Sequence, residues 1–261
     1  MTSGELVIDR KFCGPPDSGN GGYVCGVVAA CLDGPAQVTL RRPPPLDTPL
    51  TVRRDAGGSV RVEHQGRLVA EAIAVSASAS TARAISVSAN AARAVIVSPD
   101  GSAIVPDPVP VDAAREGSAG SWLRISPERH PFPSCFVCGP ARPDGLRIAP
   151  GRVAGRDLSA GIWCPAPELA GPDGSMRPEF LWAALDCTGG IGAFGNDPDG
   201  PPYLLGRLAV RQVAPIQVGE PHVVTGWRLG REGRKMLAGS ALFTAGGDLA
   251  GLGLATWIQL S

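Results

Sequence analysis

An acidic side chain inside an apolar helix is the feature of this sequence with the clearest chemical meaning. Asp186 follows an uninterrupted apolar run, Phe180–Leu185, which predicts a buried helix. A carboxylate is costly to bury unless it has partners or a chemical task, so Asp186 is a candidate general base or nucleophile. The alternative is a residue on a solvent-facing edge of the helix.

A second candidate group is a pair of glycines at the start of another apolar run. Gly21 and Gly22 lead into Tyr23–Leu32, whose length and apolarity predict a second buried helix. The glycines would let a substrate approach the first backbone N–H groups of that helix. Such unpaired N–H groups are natural donors to a carbonyl oxygen that gains negative charge. The alternative is a plain turn that needs positive φ.

Three further motifs each have a chemical interpretation and a structural one. Cys135 and Cys138 have the spacing of half a zinc site, but no second close pair of Cys or His follows, so we predict a structural loop and no metal. Cys187 beside Asp186 could be a nucleophile, yet the sequence places no His near it. Residues 190–195 match the dinucleotide-binding motif G-x-G-x-x-G. The motif here ends a helix instead of linking a strand to a helix, so we interpret it as a helix terminator.

Composition limits the classes of partner. The 24 Lys and Arg balance the 24 Asp and Glu, so the net charge of zero gives no electrostatic case for nucleic acid or an acidic membrane surface. No apolar run approaches the roughly 20 residues of a membrane helix. The residues Met1–Glu5 lack the regions of a signal peptide, and seven cysteines do not indicate a disulfide framework. The expected location is the cytoplasm.

Two parts of the chain share one pattern, a buried helix followed by a strand that ends in proline. Aligning the strands 38–46 and 208–216 brings Pro45-Leu46 onto Pro215-Ile216 without a gap. Anchoring the equivalent helices 22–32 and 178–190 separately at their starts, with Gly22 on Glu179, puts Ala29 opposite Asp186. Because the acid occurs in one half alone, the duplication predicts one composite site per chain.

The expected organisation is two halves joined by a connection of different composition. Residues 1–76 form the N-terminal half and residues 131–261 form the C-terminal half that carries the acid. Each half reads as one helix followed by an antiparallel meander of four strands. Residues 77–130, rich in Ala, Ser and Pro, are interpreted as the connection, and their structure is left open.

These segments are similar to parts of a known family. The similar segments are His130–Pro140 with Asp144-Gly145-Leu146, Phe180–Asp186 with Cys187-Thr188-Gly189-Gly190, and Arg211–Gly219 with Pro215 and Gly219. On these segments the chain resembles the hotdog-fold thioesterase and dehydratase superfamily, as a tandem double hotdog. One departure is at the acid-bearing helix, which starts with Arg177-Pro178-Glu179 where those thioesterases often have His or Asn and two glycines. Here Asn20-Gly21-Gly22 starts the other helix instead.

The resemblance implies a fold and an activity. The implied fold is α+β, with two antiparallel sheets each wrapped around a central helix. The implied activity is hydrolysis of an acyl thioester, with acyl-CoA as the substrate. Asp186 would be the general base, and the backbone N–H groups of Gly22 and Tyr23 would form the oxyanion hole. Asn20 and Gly21 would contact the substrate.

The remaining expectations concern coenzyme A and the alternatives. Arg207 and Arg211 share one strand face and could meet the phosphates of coenzyme A, although a solvated strand face is the commoner meaning. Coenzyme A would enter only as part of the substrate, with no separate cofactor. A dehydratase or hydratase of the same fold typically pairs its acid with a nearby His, which this sequence lacks beside Asp186. The Pro178-Glu179 departure favours a non-catalytic acyl-binding or assembly module, and a homo-oligomer stays open.

Overall fold

Two central helices pack against one long antiparallel sheet. The computed structural model describes residues 3–75, 84–86, 95–98, 101–194, 197 and 199–260. The elements of the first half are β1 (Ser3–Val7), α1 (Gly21–Ala29), β2 (Ala36–Leu40), β3 (Pro49–Arg54), β4 (Val60–His64) and β5 (Arg67–Ala74). The elements of the second half are β9 (Gly151–Arg152), β10 (Ser159–Trp163), α4 (Pro178–Phe194), β11 (Tyr203–Gln212), β12 (His222–Glu232), β13 (Lys235–Thr244) and β14 (Leu249–Gln259).

The two halves have the same connectivity. The sheet order is β1-β3-β4-β5-β2-β11-β14-β13-β12-β10-β9. In each half the strand before the helix pairs with the second strand after it, and the first strand after the helix lies at the centre of the sheet. This order confirms the predicted α+β class and the predicted sequence of one helix followed by four antiparallel strands. The helix α1 ends at Ala29, three residues before the predicted Leu32.

The prediction of two separate sheets is wrong, because within the described residues the halves share a single sheet of eleven strands. The strands β2 and β11 pair antiparallel, with Val38 opposite Leu208 and Thr39 opposite Arg207. An unpaired central edge would leave a row of N–H and C=O groups without partners. Pairing the two equivalent strands removes that edge from both halves at once.

The helix α4 continues past its predicted end at residue 190, and its glycines pack closely on the sheet. The motif at 190–195 does not terminate the helix, which reaches Phe194, while Gly195 lies outside the described residues. A Cβ at Gly190 would stand 2.6 Å from the ring of Trp257, and one at Gly192 would stand 2.2 Å from the backbone of Gly226. The glycines therefore serve close packing of the helix on β12 and β14.

The connection between the halves is partly helical. Its described elements are β6 (Ala84–Ser86), β7 (Val95–Ser98), β8 (Gly101–Ile104), α2 (Val111–Ala119) and α3 (Trp122–Ile125). The strands β6, β7 and β8 form a small antiparallel sheet of their own. Ala114 of α2 joins a buried cluster with Trp227 and Phe243, so this part of the predicted connection packs on the sheet. The positions 77–83, 87–94 and 99–100 of the predicted connection, and position 76 before it, lie outside the described residues.

The main core lies between the sheet and the helices α1 and α4. It includes Leu185, Val28 and Leu208, all fully buried. The second cluster, around Trp227 and Phe243, contains Ala209 of β11, whereas Leu208 belongs to the main core. Successive strand residues face opposite sides of a sheet, so the second cluster covers the side away from α1 and α4. No helix within the described residues has both the length and the apolarity to cross a membrane.

Candidate active site

Asp186 lies in the middle of α4 and faces the start of α1. Its side chain is 1% exposed, which rules out the solvent-facing alternative. The backbone N–H of Gly22 donates a hydrogen bond to Oδ2 at 2.7 Å. The other carboxyl oxygen, Oδ1, is buried and has no hydrogen-bond partner among the described residues. One oxygen of the carboxyl group is therefore held by Gly22, and the other is buried without a hydrogen bond.

Burial also changes the protonation of this side chain. Removal from water, and to a smaller extent the neighbouring Cys135, raises the pKa of Asp186 to about 8, and the hydrogen bond from Gly22 and the side chain of Asn20 offset part of that effect. The charged form of a carboxyl group is the one that burial disfavours. A buried carboxyl group with one unpartnered oxygen is an uncommon arrangement, and such groups concentrate where chemistry takes place.

Two glycines make the contact between the helices possible. A Cβ at Gly22 would stand 2.4 Å from the Cβ of Asp186, and a Cβ at Gly26 would stand 2.6 Å from the Cα of Glu179. The helices run antiparallel, because a later position of α1 meets an earlier position of α4. The glycine at 22 thus makes room for the acid, where the sequence analysis expected room for a substrate.

The two predicted oxyanion donors both have partners in the structure. The N–H of Gly22 bonds to Asp186, and the N–H of Tyr23 donates to Oδ1 of Asn20 at 2.9 Å. Asn20 acts here as the N-cap of α1, a common role for asparagine. The preceding N–H, that of Gly21, has no acceptor among the described residues. In this conformation Gly21 replaces Gly22 and Tyr23 as the candidate donor to a substrate oxygen.

The Tyr23 side chain belongs to the core. It stacks on Phe12 with a centroid distance of 3.8 Å and lies beside Phe136 and Phe180. Burial raises its pKa to about 12, so the phenol stays protonated. Neither its ring nor its backbone N–H is free for a substrate.

A cavity of about 260 Å³ borders Asp186, Asn20 and Gly21. Aromatic side chains form much of its wall, namely Trp122, Phe132, Phe194, Tyr203 and Trp257. Such a concave, mostly apolar space with a few polar groups is the usual form of a small-molecule site. The acid and the free helix N-terminus therefore meet at one cavity.

The structure does not bring Arg207 and Arg211 to this cavity. They alternate along β11 with Leu208 and Val210, which face the main core, so the arginines lie on the opposite side of the sheet. Nε of Arg207 donates to Oγ1 of Thr39 across the junction of the halves. Their predicted contact with the phosphates of coenzyme A would therefore lie away from this cavity.

Two other arginines, which the sequence analysis did not single out, do line the cavity. Arg228 and Arg231 are exposed residues of β12, and Nε of Arg228 donates to the carbonyl oxygen of Ala193 at 2.8 Å. In a regular strand, positions three apart face opposite sides. The pairing register shifts between Arg228 and Gly230, and this irregularity lets both arginines border the same space. A bulge of this kind leaves no clear sequence signal.

Three cysteines also line the cavity. The Sγ atoms of Cys135, Cys138 and Cys187 lie within 4.8 Å of one another. The sequence analysis treated the first two as an isolated pair because the third comes from α4, far along the chain. Hydrogen bonds from Cys138 and Cys187 hold the pKa of the Cys135 thiol well below its usual range, and the same hydrogen bonds raise the pKa values of Cys138 and Cys187 well above theirs.

His130 lies at the cavity as well, although the sequence places it far from Asp186. Its Nδ1 accepts a hydrogen bond from the backbone N–H of Phe132 at 2.9 Å, and its Nε2 lies 3.3 Å from Sγ of Cys138. Both ring nitrogens therefore have partners. The ring is held in place and has no free nitrogen to offer a substrate.

Comparison with known proteins gives structural likenesses only. No protein-family model and no curated protein matches the sequence. The chain is similar to thioesterase superfamily structures. One such protein shares 19% identity at a TM-score of 0.42, over 47% of this chain and 62% of its own length. A phenylacetic acid degradation-related protein of Ralstonia eutropha JMP134 shares 17% identity at a TM-score of 0.43, over 53% of this chain and 99% of its own.

A third likeness is to a Streptococcus mutans UA159 protein whose structure has acetyl-CoA bound. It shares 7% identity at a TM-score of 0.37, over 41% of this chain and 83% of its own. At such identities and TM-scores a likeness assigns no activity.

Proposed function

We propose that this chain is a tandem double hotdog protein that hydrolyses an acyl thioester, with acyl-CoA as the substrate class. Residues 1–76 and 131–261 would be its two halves. The observation that supports this most is the buried Asp186, which has one oxygen without a hydrogen-bond partner and lines the same cavity as Gly21 at the start of α1. An acid on one side and an N–H donor on the other are the two groups that attack of water on a thioester carbonyl requires.

In the proposed reaction, Asp186 acts as the general base. Its ionised carboxylate takes a proton from a water molecule through Oδ1, while Gly22 holds Oδ2 and so fixes the plane of the carboxylate. The water oxygen attacks the carbonyl carbon of the thioester. The carbonyl oxygen becomes an oxyanion, which accepts a hydrogen bond from the N–H of Gly21 at the positive end of the α1 dipole.

Collapse of that intermediate releases the thiol and the acid. The bond between the carbonyl carbon and sulfur breaks, and the proton held by Asp186 returns to the leaving thiolate. The products are a carboxylic acid and free coenzyme A, so the carboxylate is regenerated. The apolar wall around Trp257 and Phe194 would hold the acyl group, and Arg228 and Arg231 would meet the phosphates.

The equivalent position in the other helix pair offers no such chemistry. The counterpart of Asp186 in α1 is Ala29, which has no titratable group. The helix α4 starts at Pro178, whose nitrogen carries no hydrogen, and Glu179 beside it would repel an oxyanion. We therefore propose one active site in each chain.

A panel of acyl-CoA substrates tests this function against its alternatives. Free coenzyme A and the acyl product are separated chromatographically, because the seven cysteines of the protein would react with a thiol reagent. Release of coenzyme A at a catalytic rate is expected for at least one acyl group. Hydration of an enoyl-CoA without release of coenzyme A would indicate a hydratase, and saturable binding without turnover would indicate a binding module. Either of these results would contradict the proposal.

The structure does not favour the hydratase alternative. That chemistry usually needs a His beside the acid, and the His at this cavity, His130, has both nitrogens engaged. Asp112→Asn is a suitable control in every assay, because Asp112 is an exposed residue of α2 that does not line the cavity.

A further inference from the structure

Three cysteine sulfurs meet at a point where the proposed hydrolysis does not use them. Cys135 and Cys138 come from the loop before β9, and Cys187 comes from the middle of α4. Their Sγ atoms lie within 4.8 Å of one another, and the Cys135 and Cys187 sulfurs are 4.0 Å apart. Two distant parts of the chain thus deliver three soft donor atoms to one small volume.

Each of the three sulfurs faces a nitrogen that carries a hydrogen. Nδ2 of Asn20 lies 3.7 Å from the sulfur of Cys135 and 3.8 Å from that of Cys187. Nε2 of His130 lies 3.3 Å from the sulfur of Cys138. Because Nδ1 of His130 accepts a backbone N–H, a neutral ring carries its proton on Nε2 and donates it to that sulfur. Donors directed at every sulfur stabilise negative charge there.

The loop that carries two of the sulfurs is built to a fixed shape. The N–H of Gly139 donates to the carbonyl oxygen of Cys135 at 2.9 Å, which closes a tight turn around the pair. A Cβ at Gly139 would stand 2.4 Å from that oxygen and 2.5 Å from the Cys135 nitrogen, so glycine is required. The N–H of Phe136 donates to the carbonyl oxygen of Cys13 at 2.7 Å and ties the turn to the N-terminal half.

We propose that Cys135, Cys138 and Cys187 bind one Zn²⁺ ion, with the fourth coordination position directed to the cavity. Tetrahedral zinc with bonds of about 2.3 Å places its sulfur ligands about 3.8 Å apart, close to the 4.0 Å between Cys135 and Cys187. Three neighbouring thiolates in a buried place repel one another unless a cation lies between them. The N–H donors of Asn20 and His130 would then offset the remaining negative charge.

His130, which contacts one of the three sulfurs, does not fit as a fourth ligand. Nε2 of His130 cannot ligate in the observed orientation, because its Nδ1 would then need the proton and would oppose the N–H of Phe132. His130 is therefore a donor to a zinc ligand. All three cysteines line the cavity, so the open position would admit water or a substrate atom.

Loading with metal alone tests the site without any activity measurement, so the result is independent of the proposed hydrolysis. The full-length protein is stripped with a chelator under reducing conditions, dialysed, and titrated with Co²⁺ and then with Zn²⁺. Co²⁺ should produce a thiolate-to-metal charge-transfer band and the intense visible bands of a tetrahedral site. Zn²⁺ should displace it at about one equivalent per chain and protect three thiols from alkylation.

Cys138→Ser is the test variant. Cys164→Ser is its control, because Cys164 is exposed and belongs neither to the sulfur cluster nor to the cavity lining. The variant should lose the charge-transfer band or bind the metal at least tenfold more weakly, and the control should match the wild type. Circular dichroism checks that both are folded. A wild-type protein without a charge-transfer band, or a Cys135–Cys187 disulfide that survives mild reduction, would overturn the proposal without reference to any variant.

Discussion

At the scale of single residues, the site consists of one group that the sequence reveals and several that it hides. Asp186 is visible in the sequence because an acid interrupts an apolar helix, and its 1% exposure explains why that signal matters. Cys187 next to it carries no comparable signal, since its partners Cys135 and Cys138 become neighbours only in the fold. The local sequence shows which residues are unusual for the segment they occupy. It does not show which residues from distant segments become neighbours when the chain packs.

The two arginines at the cavity are further residues that the sequence alone does not reveal, and their role can be tested. Arg228→Ala and Arg231→Ala are each expected to raise KM for an acyl-CoA substrate about tenfold, which corresponds to about 1.4 kcal/mol of lost interaction. The reason is that both line the cavity and can meet the phosphates. Steady-state kinetics with the acyl-CoA and with a truncated acyl-pantetheine thioester measure the effect. The increase in KM should vanish for the truncated substrate.

Arg211→Ala is the matched comparison, because Arg211 lies on the opposite side of the sheet. It should leave KM within the experimental error of the wild type. An increase in KM for Arg211→Ala, with no change for Arg228→Ala, would contradict the assigned position of coenzyme A.

At the scale of elements, the contact between α1 and α4 determines where the acid can lie. The sequence shows both helices and the glycines at the start of α1, and it assigns those glycines to a substrate. In the structure, Gly22 and Gly26 instead admit the other helix, because a Cβ at either would collide with α4. The sequence shows the small residues of α1, but it does not show that they pack against α4.

Gly26→Ala tests that contact. A methyl group 2.6 Å from the Cα of Glu179 has to push the helices apart, and overpacking of this kind typically costs about 1–3 kcal/mol. The free energy of unfolding from urea titration should fall by about that amount. Gly4→Ala is the control, since nothing lies within 4 Å of the added carbon. Equal stability of the two variants would show that the helices do not need this approach.

At the scale of the whole molecule, two halves of the same connectivity share one sheet. Alternating patterns predicted most of the strands, and the aligned proline-marked segments predicted that β2 and β11 are equivalent. The pairing of those two strands with each other was not readable, because periodicity shows which face of a strand is buried and leaves its neighbour open. For the same reason, the sequence suggested two sheets where the structure has one.

The asymmetry between the halves predicts the number of sites. A thioether analogue of the substrate, which cannot be hydrolysed, should bind at about one equivalent per chain in isothermal titration calorimetry. The reason is that the position proposed as equivalent to Asp186 in the other helix is Ala29, which carries no acid. Asp112→Asn should bind with the same stoichiometry. Two equivalent sites in each chain would be incompatible with the composite site.

The central claim is that Asp186 removes the proton from the attacking water. The most direct measurement is the turnover number of Asp186→Asn with the best acyl-CoA of the panel, beside the wild type and Asp112→Asn. An amide has nearly the same volume and can still accept the N–H of Gly22, so the fold and substrate binding should persist. Loss of a positioned general base should lower the turnover number by roughly 10²–10⁴-fold. An unchanged turnover number in Asp186→Asn would contradict the account.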